Sequence, residues 1–345
     1  MAVSRNLKLA GLVALLVLYV VVIPAVFAES RYILRVISTA SVLSVISLGV
    51  WLTFAIGRIN IGQAAFALVG GYATAILSTR YGVSFWLALP LSGVVAAVVG
   101  TILGLGILRL RGVYFAMITL SLTEAMRLAF HNGGDFTGGA TGISRIPLPG
   151  ELSLFGLVLV PDFNTVNTHL AFYFLAAFLL ILTLAVVWRI ATSRLGWIFR
   201  SLQQHEDLST SIGINVAKYR VMAYAICCFF GGLGGAYFTA AQQSIYPSVF
   251  GVPDSIFFIL YCFLGGLAYV WGPVVGAFLL FISFELLHPL QQYQQLIYAA
   301  IMIGIMLWLP NGLLSLRPPA RWTAPLAGPG GRLAGEPPGR LQKGA

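Results

Sequence analysis

The feature that most constrains this chain is a series of unbroken apolar runs, most of them about twenty residues long. A helix of that length spans the hydrocarbon core of a bilayer, whereas a strand of a membrane barrel would alternate apolar and polar residues. Hydrophobic residues make up 59% of the chain and charged residues 9%. A water-soluble domain could not bury that much apolar surface. The sequence therefore predicts an all-α, polytopic membrane helical bundle.

We predict about ten membrane segments. They lie at 9–28, 34–56, 63–79, 84–108, 113–130, 169–190, 221–241, 255–270, 272–288 and 293–310. The segments at 63–79 and 113–130 also fit broken or partly inserted helices, because the first is short and the second carries charges. We interpret residues 1–28 as a retained first helix. A removable signal peptide is the alternative, because Val26–Phe27–Ala28 resembles a cleavage site.

Most lysines and arginines lie at the ends of the apolar runs, where the positive-inside rule places them. This distribution explains the net charge of +10 without a nucleic-acid partner. It predicts a multi-pass protein with cytoplasmic N- and C-termini. Residues 1–316 then form the membrane domain, with an external loop at about 131–168 and a cytoplasmic loop at about 191–220. Residues 317–345, rich in Pro, Gly and Arg, are expected to be a disordered basic tail.

Glycine dominates the first part of the external loop, from Gly133 to Gly142. So many glycines favour tight turns with positive φ over a helix.

The cytoplasmic loop between two long apolar runs is the most informative polar region. Residues 193–212 are predicted to be helical and amphipathic, with apolar residues at spacings of three and four at Leu195, Ile198, Phe199, Leu202 and Leu208. Gly213 and Asn215 then provide a helix stop. A helix that carries the acidic pair Glu206–Asp207 between basic residues suits a docking element for a cytosolic partner. A helix lying on the membrane surface would look similar.

Two polar groups interrupt the apolar runs. Glu124 and Arg127 are three residues apart within one predicted span, so they share a helix face. Such charges usually face a cavity or a partner, which makes both residues candidates for a transport pathway. The equally weighted alternative is that Arg127 reaches the headgroup region from the end of the helix.

Asn60–Ile61–Gly62–Gln63 forms the second interruption. It is either a helix break that exposes polar groups to a small solute, with Asn60 and Gln63 in the pathway, or a plain cytoplasmic turn. The plain turn is the interpretation that we favour.

No catalytic or metal-binding constellation is visible, and the chain lacks the phosphate-binding loop of an ATPase. The pairs Gly100/Gly104, Gly231/Gly235 and Gly272/Gly276 place two glycines on one helix face. We expect them to pack helices within the chain rather than between subunits. Cys227, Cys228 and Cys262 are expected to be packing residues.

Several of these motifs together resemble the permease subunits of branched-chain amino-acid ABC importers, specifically the LivM type. The resemblance covers most of residues 40–316. It is carried by the stretches Gly57–Phe66, Leu108–Ala116, Thr137–Ile143, Ser193–Gly196, Leu208 to Asn215, Gly231–Tyr237 and Leu264–Ala277. This chain departs from the family pattern at Gln203, where Arg is usual, and at Ser209 and Ser211, where Ala is usual.

The resemblance implies a function in the bacterial cytoplasmic (inner) membrane. It implies a second, LivH-type permease, two cytosolic ATPase subunits and an extracytoplasmic solute-binding protein as partners, besides membrane lipid. The chain itself would bind no cofactor, since ATP and Mg would bind to the ATPases. The cytoplasmic loop would be the ATPase-coupling loop, with Glu206, Gly213, Leu195 and Gly196 as coupling residues.

Three other functions remain open at this point. The same importer class also serves urea, short amides and some aromatic acids. An ion-coupled secondary transporter would need protonatable groups in the bundle, and Glu124 and Glu285 are few for that. A membrane-embedded enzyme would need convergent His, Asp or Ser groups, and none is visible.

Overall fold

The computed structural model describes residues 17–27, 29–154, 157–160, 162–163, 167–287, 293–308 and 312–316. A π-helical turn at Leu18–Val22 leads into the first α-helix. The α-helices are α1 (Ile23–Val26), α2 (Arg31–Ala55), α3 (Gln63–Thr79), α4 (Phe85–Ile107), α5 (Val113–His131), α6 (Thr168–Thr192), α7 (Arg194–Gln204), α8 (Glu206–Ser211), α9 (Val216–Gln242), α10 (Val252–Gly265), α11 (Gly272–Leu286) and α12 (Gln294–Trp308). The short strands are β1 (Ile143–Ser144), β2 (Leu152–Leu154), β3 (Leu157–Val160) and β4 (Ser244–Ile245).

Six helical stretches within the described residues are long and apolar enough to cross a membrane. They are α2, α4, α5, α6, α9 and the stretch Pro247–Gly265, which comprises a 3-10 turn and α10. Helix α11 is apolar but shorter. The prediction of an all-α membrane bundle is confirmed. The count of ten segments is not confirmed, since α3 has only 17 residues and part of the segment 9–28 lies outside the described residues.

Helix α9 lies at the centre of the bundle and packs against α2, α3 and α4. Glycine allows the closest of these contacts, because a Cβ on Gly70 of α3 would overlap the backbone of Gly232 in α9. A Cβ on Gly235 would likewise overlap the carbonyl of Ala67. The predicted glycine pairs all have close neighbours within this chain, which confirms intramolecular packing. The three cysteines are fully buried and unpaired.

The segment between α5 and α6 is joined to the end of α9 by two short antiparallel strands. Strand β1 pairs with β4 in the register Ile143↔Ile245, and β2 pairs with β3 in a separate hairpin. Gly134, Gly138, Gly139 and Gly142 all have positive φ, as predicted from the abundance of glycine in this segment. The strands were not predicted, because two to four residues carry too little alternation to be recognised.

The loop between α6 and α9 differs from the prediction of one helix over 193–212. His205 is extended (φ −147°, ψ 99°) and separates α7 from α8. The spacing of apolar residues indicates a helical period, but it cannot show that one residue within that stretch is extended. The predicted disordered tail at 317–345 lies outside the described residues.

Candidate functional site

The loop between α6 and α9 is anchored to the bundle by a tight turn between α6 and α7. The Ser193 hydroxyl accepts a hydrogen bond from the Leu195 amide at 3.2 Å and so caps the first turn of α7. A Cβ on Gly196 would overlap the carbonyl of Ala191, so only glycine fits against the preceding helix. Phe199 is buried in the main apolar core. Leu195 and Gly196 thus set the direction in which α7 leaves the membrane helix.

Three arginines from different segments surround the carboxylate of Glu206 at the start of α8. Arg111 donates from Nη2 to Oε1 at 3.0 Å, and Arg58 Nη2 lies 3.7 Å from Oε2. Arg220 forms the third ion pair, also with Oε2. Arg58 follows α2, Arg111 precedes α5 and Arg220 belongs to α9. One carboxylate therefore joins the loop between α6 and α9 to three other parts of the bundle.

Burial and neighbouring charges have opposite effects on the pKa of Glu206. Burial acts to raise the pKa of Glu206, but the hydrogen bond from Arg220 and the three positive charges together lower it below its usual value. Burial and the nearby Arg220 charge lower the pKa of Arg58, with Glu206 acting in the opposite direction. Arg58 and Arg220 are both almost fully buried. Removing the carboxylate would therefore leave two buried cations without a counter-charge.

The other end of α8 is shaped by Gly213, which has φ +84°. This left-handed conformation lets the Gly213 amide donate to Thr210 O at 3.0 Å and the Ile214 amide donate to Ser209 O at 3.1 Å, which closes the helix. The predicted helix stop is confirmed at Gly213. Asn215 instead caps α9, because its side chain accepts from the Lys218 amide at 3.1 Å.

Apolar side chains on α8 and just after it face outward. Leu208 is 64% exposed and Ile212 is 70% exposed, although both are large aliphatic residues at helical spacing. Phe199 and Leu202 on α7, by contrast, are buried. Helix α7 thus anchors the loop, and α8 presents an uncovered apolar surface, which we call the α8 knob (Leu208 and Ile212).

Sequence reasoning placed Glu206 in the coupling loop but did not identify its partners. Arg58, Arg111 and Arg220 contributed only to the prediction of topology. No signal in one sequence could have joined them, because their positions along the chain are set by unrelated turns.

Asn60 and Gln63 are fully buried and lie in one hydrogen-bonded network. The Gln63 amide donates to Cys227 O at 2.9 Å, and the Cys227 thiol donates to Gln63 Oε1 at 2.9 Å. Asn60 Oδ1 accepts from the Gly62 amide at 3.0 Å, and its amide donates to Gln63 Oε1 at 3.3 Å. These side chains thus hold the break between α2 and α3 against α9.

The same break also contacts α5. The Ile61 amide donates to Thr119 Oγ1 at 3.1 Å, and a Cβ on Gly62 would lie 2.5 Å from Thr119 O. The turn that contains Asn60 and Gln63 therefore positions α5 directly.

Glu124 and Arg127 form a close ion pair along α5. Arg127 donates from Nε to both carboxylate oxygens at 3.1 and 3.0 Å and from Nη2 to Oε1 at 2.6 Å. The Glu124 side chain is 43% exposed and that of Arg127 is 26% exposed. The pair is thus accessible at the surface of a helix that is long enough to cross the membrane.

Helix α5 is the least buried of the six spanning stretches. One outward stripe along it carries polar groups among apolar ones: Tyr114, Met117, Ser121, Glu124, Leu128 and His131. The outward stripe of α4 is wholly apolar: Leu87, Leu91, Val94, Val98, Ile102 and Leu105. Lipid suits the α4 stripe, but a carboxylate facing hydrocarbon is costly. The α5 stripe is therefore less suited to contact with lipid than the α4 stripe.

Comparison with known proteins identifies the family. The family described as "Branched-chain amino acid transport system / permease component" matches residues 32–308. The chain belongs to this permease family. It is 32% identical over 326 residues to the high-affinity branched-chain amino acid transport system permease protein LivM of Escherichia coli, covering 89% of this chain and 75% of the relative.

Two further relatives agree with this placement. LivM of Salmonella typhimurium is 30% identical over 322 residues, covering 88% of this chain and 75% of the relative. A probable branched-chain amino acid transport permease protein LivH of Methanocaldococcus jannaschii is 24% identical, covering 79% of this chain and 89% of the relative. No solved structure matches the chain. The protein is thus a multi-pass membrane permease, and its similarity to LivM confirms the resemblance seen in the motifs.

Proposed function

We propose that this permease is a membrane subunit of an ATP-driven importer of branched-chain amino acids. It would act in the bacterial cytoplasmic membrane with both termini in the cytoplasm. The LivM relatives, whose names specify branched-chain amino acid transport, support this substrate class. Urea, short amides and aromatic acids are the alternative substrates, and competition with radiolabelled L-leucine during uptake would separate them.

The partners in this proposal are a LivH-type permease, two cytosolic ATPases that hold ATP and Mg, and an extracytoplasmic solute-binding protein. Similarity to a LivH protein supports a pair of related permease subunits, because both would share one fold. The substrate would pass from the binding protein into a cavity between the two permeases. The α5 stripe would line that cavity, so the charges of Glu124 and Arg127 would face water or the partner. Asn60 and Gln63 would hold α5 in place.

The observation that carries the proposal is the arrangement of α8. Its outer side presents the α8 knob, while its first residue, Glu206, is ion-paired to three segments of the bundle. A partner that binds the α8 knob and moves would therefore displace the ends of α2, α5 and α9 together. Leu195 and Gly196 would fix the turn between α6 and α7 about which this movement occurs. Gly213 would end α8, the helix that moves with the partner. Coupling of this kind needs two conformers with different affinity for the ATPases.

Truncation of the knob tests the docking step. The double variant Leu208→Ala/Ile212→Ala removes apolar side chains that have few neighbours in the permease, so it should leave membrane insertion intact. We expect at least a tenfold loss of ATPase binding, measured by co-purification of the four-subunit complex. The matched control is Ser211→Ala, which changes an exposed side chain of the same helix. Full ATPase retention by the double variant would contradict the docking assignment.

A second experiment separates the proposal from an ion-coupled secondary transporter. The complete importer and the permease alone are reconstituted in proteoliposomes, with either ATP or an ion gradient as the energy source. We expect L-leucine uptake only with the complete importer and ATP. Gradient-driven uptake by the permease alone would favour the secondary transporter.

A further inference from the structure

The ion pair on α5 has no other polar contact within the described residues. Every hydrogen bond found for either side chain joins Glu124 to Arg127. Their charges are therefore satisfied only by each other, in a region where the helix surface is open. A pair in this position is available to a charged solute.

The chemistry of the pair matches the two charges of an amino acid. The planar guanidinium of Arg127 can bind a carboxylate through two parallel N–H donors. The carboxylate of Glu124 can accept hydrogen bonds from an ammonium group. A free α-amino acid carries both of these groups on one carbon atom. Urea and short amides carry neither charge, so they would not need such a pair.

The apolar neighbours of the pair match an aliphatic side chain. Leu128 is one turn from Glu124 on the same face of α5, and Ala125 lies beside it. Both are exposed, as are Met117 and Ile118 further along the helix. One helix face thus offers two opposite charges next to uncovered apolar surface. A branched aliphatic amino acid has the same combination of groups.

Opening this pair costs less than breaking a buried pair, because both side chains are partly exposed and lie on one helix. When a zwitterion enters, each of its charges replaces a charge of the pair, so no ion is left without a counter-ion in the membrane. Weak, reversible contacts of this kind are what passage requires, because the solute must also leave.

From these observations we propose that Glu124 and Arg127 open to receive the ammonium and carboxylate groups of a branched-chain amino acid as it passes α5. This inference rests on the proposed import function and assigns the recognition of the zwitterion to two side chains. It predicts that both charges are needed for passage, beyond any contribution that they make to folding.

The decisive variant removes both charges together. Glu124→Gln/Arg127→Gln leaves no lone charge in the membrane, so a pair with a merely structural role should tolerate it. We expect ATP-driven L-leucine uptake by the complete importer in proteoliposomes to fall at least tenfold. Membrane expression and co-purification with the ATPases should stay normal. Normal uptake by this double variant would overturn the inference.

Two further variants keep the test sharp. Arg127→Lys retains both charges but not the two parallel donors, so it should keep more uptake than Arg127→Gln; unchanged uptake by Arg127→Gln would overturn the inference. Glu285→Gln is the matched control, because Glu285 accepts a hydrogen bond from Tyr32 on another helix at 3.0 Å and lies outside α5. Failure of the proposed function is separate, since it would appear as absent ATP-dependent uptake in the unmodified importer.

Discussion

Two sites in this chain pair a glutamate with arginine. They differ in whether the paired residues come from distant segments or from one helix. Glu206 is held by three arginines from three other segments, two of them buried. Glu124 is held by one arginine three residues away on the same helix, and both side chains are partly exposed. The first site joins α8 to three other segments of the bundle, and the second lies within one helix. The same chemistry thus connects distant segments in one place and neighbouring residues in the other.

Loss of the Glu206 charge should have the largest effect. Glu206→Gln would leave Arg58 and Arg220 buried without a counter-charge, and breaking a buried pair in this way costs about 3–5 kcal/mol. We expect a clear drop in the melting temperature of the purified permease and loss of ATP-driven uptake. Asp207→Asn is the control, because Asp207 is exposed and forms none of the ion pairs found among the described residues. Equal melting temperatures for Glu206→Gln and the unmodified protein would remove the distinction between the two sites.

Acid should reduce the contribution of Glu206 to the stability of the fold. The folded-state pKa of Glu206 is lowered from 4.5, so its contribution is present above pH 4.5 and is lost as the pH falls through the folded-state pKa. The melting temperature should therefore vary little through this group at neutral pH and fall below pH 4.5. The Glu206→Gln variant should lack this part of the pH dependence. An identical acid profile in both proteins would show that other groups account for it.

Backbone strain at the end of α8 should lower the stability of the fold by less than loss of the Glu206 charge does. Gly213→Ala places a side chain at φ +84°, which costs about 1–2 kcal/mol for an L-residue, although the space around it is open. We expect reduced stability and a reduced ratio of leucine transported to ATP hydrolysed. Gly213→Asn should be milder, because asparagine tolerates this conformation better. If alanine and asparagine behave alike, the backbone conformation is not the reason that glycine is needed.

Neutralising the Glu124 site should have the smallest effect on stability. Glu124→Gln/Arg127→Gln removes a partly exposed pair on one helix and leaves no lone charge, so the expected drop in melting temperature is small. Thermal unfolding of the purified permease measures this change against that of Glu206→Gln. A loss as large as that of Glu206→Gln would show that the α5 pair is also a structural tie.

Much of the architecture could be predicted because bilayer physics acts on local composition. Long apolar runs predict helices, and the predicted segment at 272–288 begins at the same residue as α11, Gly272. Gly213 was predicted as a helix stop because only glycine readily adopts its conformation. His205 could not be predicted, since nothing in its neighbours requires an extended residue between two helices.

The candidate sites were predictable only where their residues lie close together in the sequence. Glu124 and Arg127 were paired from the sequence because helical spacing alone brings them together. Glu206 was placed in the right loop, but its arginines come from distant turns. Asn60 and Gln63 were recognised as a break in the apolar pattern. Their contacts with Cys227 in α9 depend on how the helices pack.

The sequence alone determined that this protein is a helical membrane bundle, because helix length, charge distribution and local spacing follow from short stretches of residues. Its motifs added the resemblance to LivM-type permeases. Only the tertiary structure decided which groups meet: three arginines around Glu206, the α2–α3 break against α5, and the outward direction of the α8 knob and the α5 stripe. These contacts depend on close packing between segments far apart in the chain, and no local pattern encodes them.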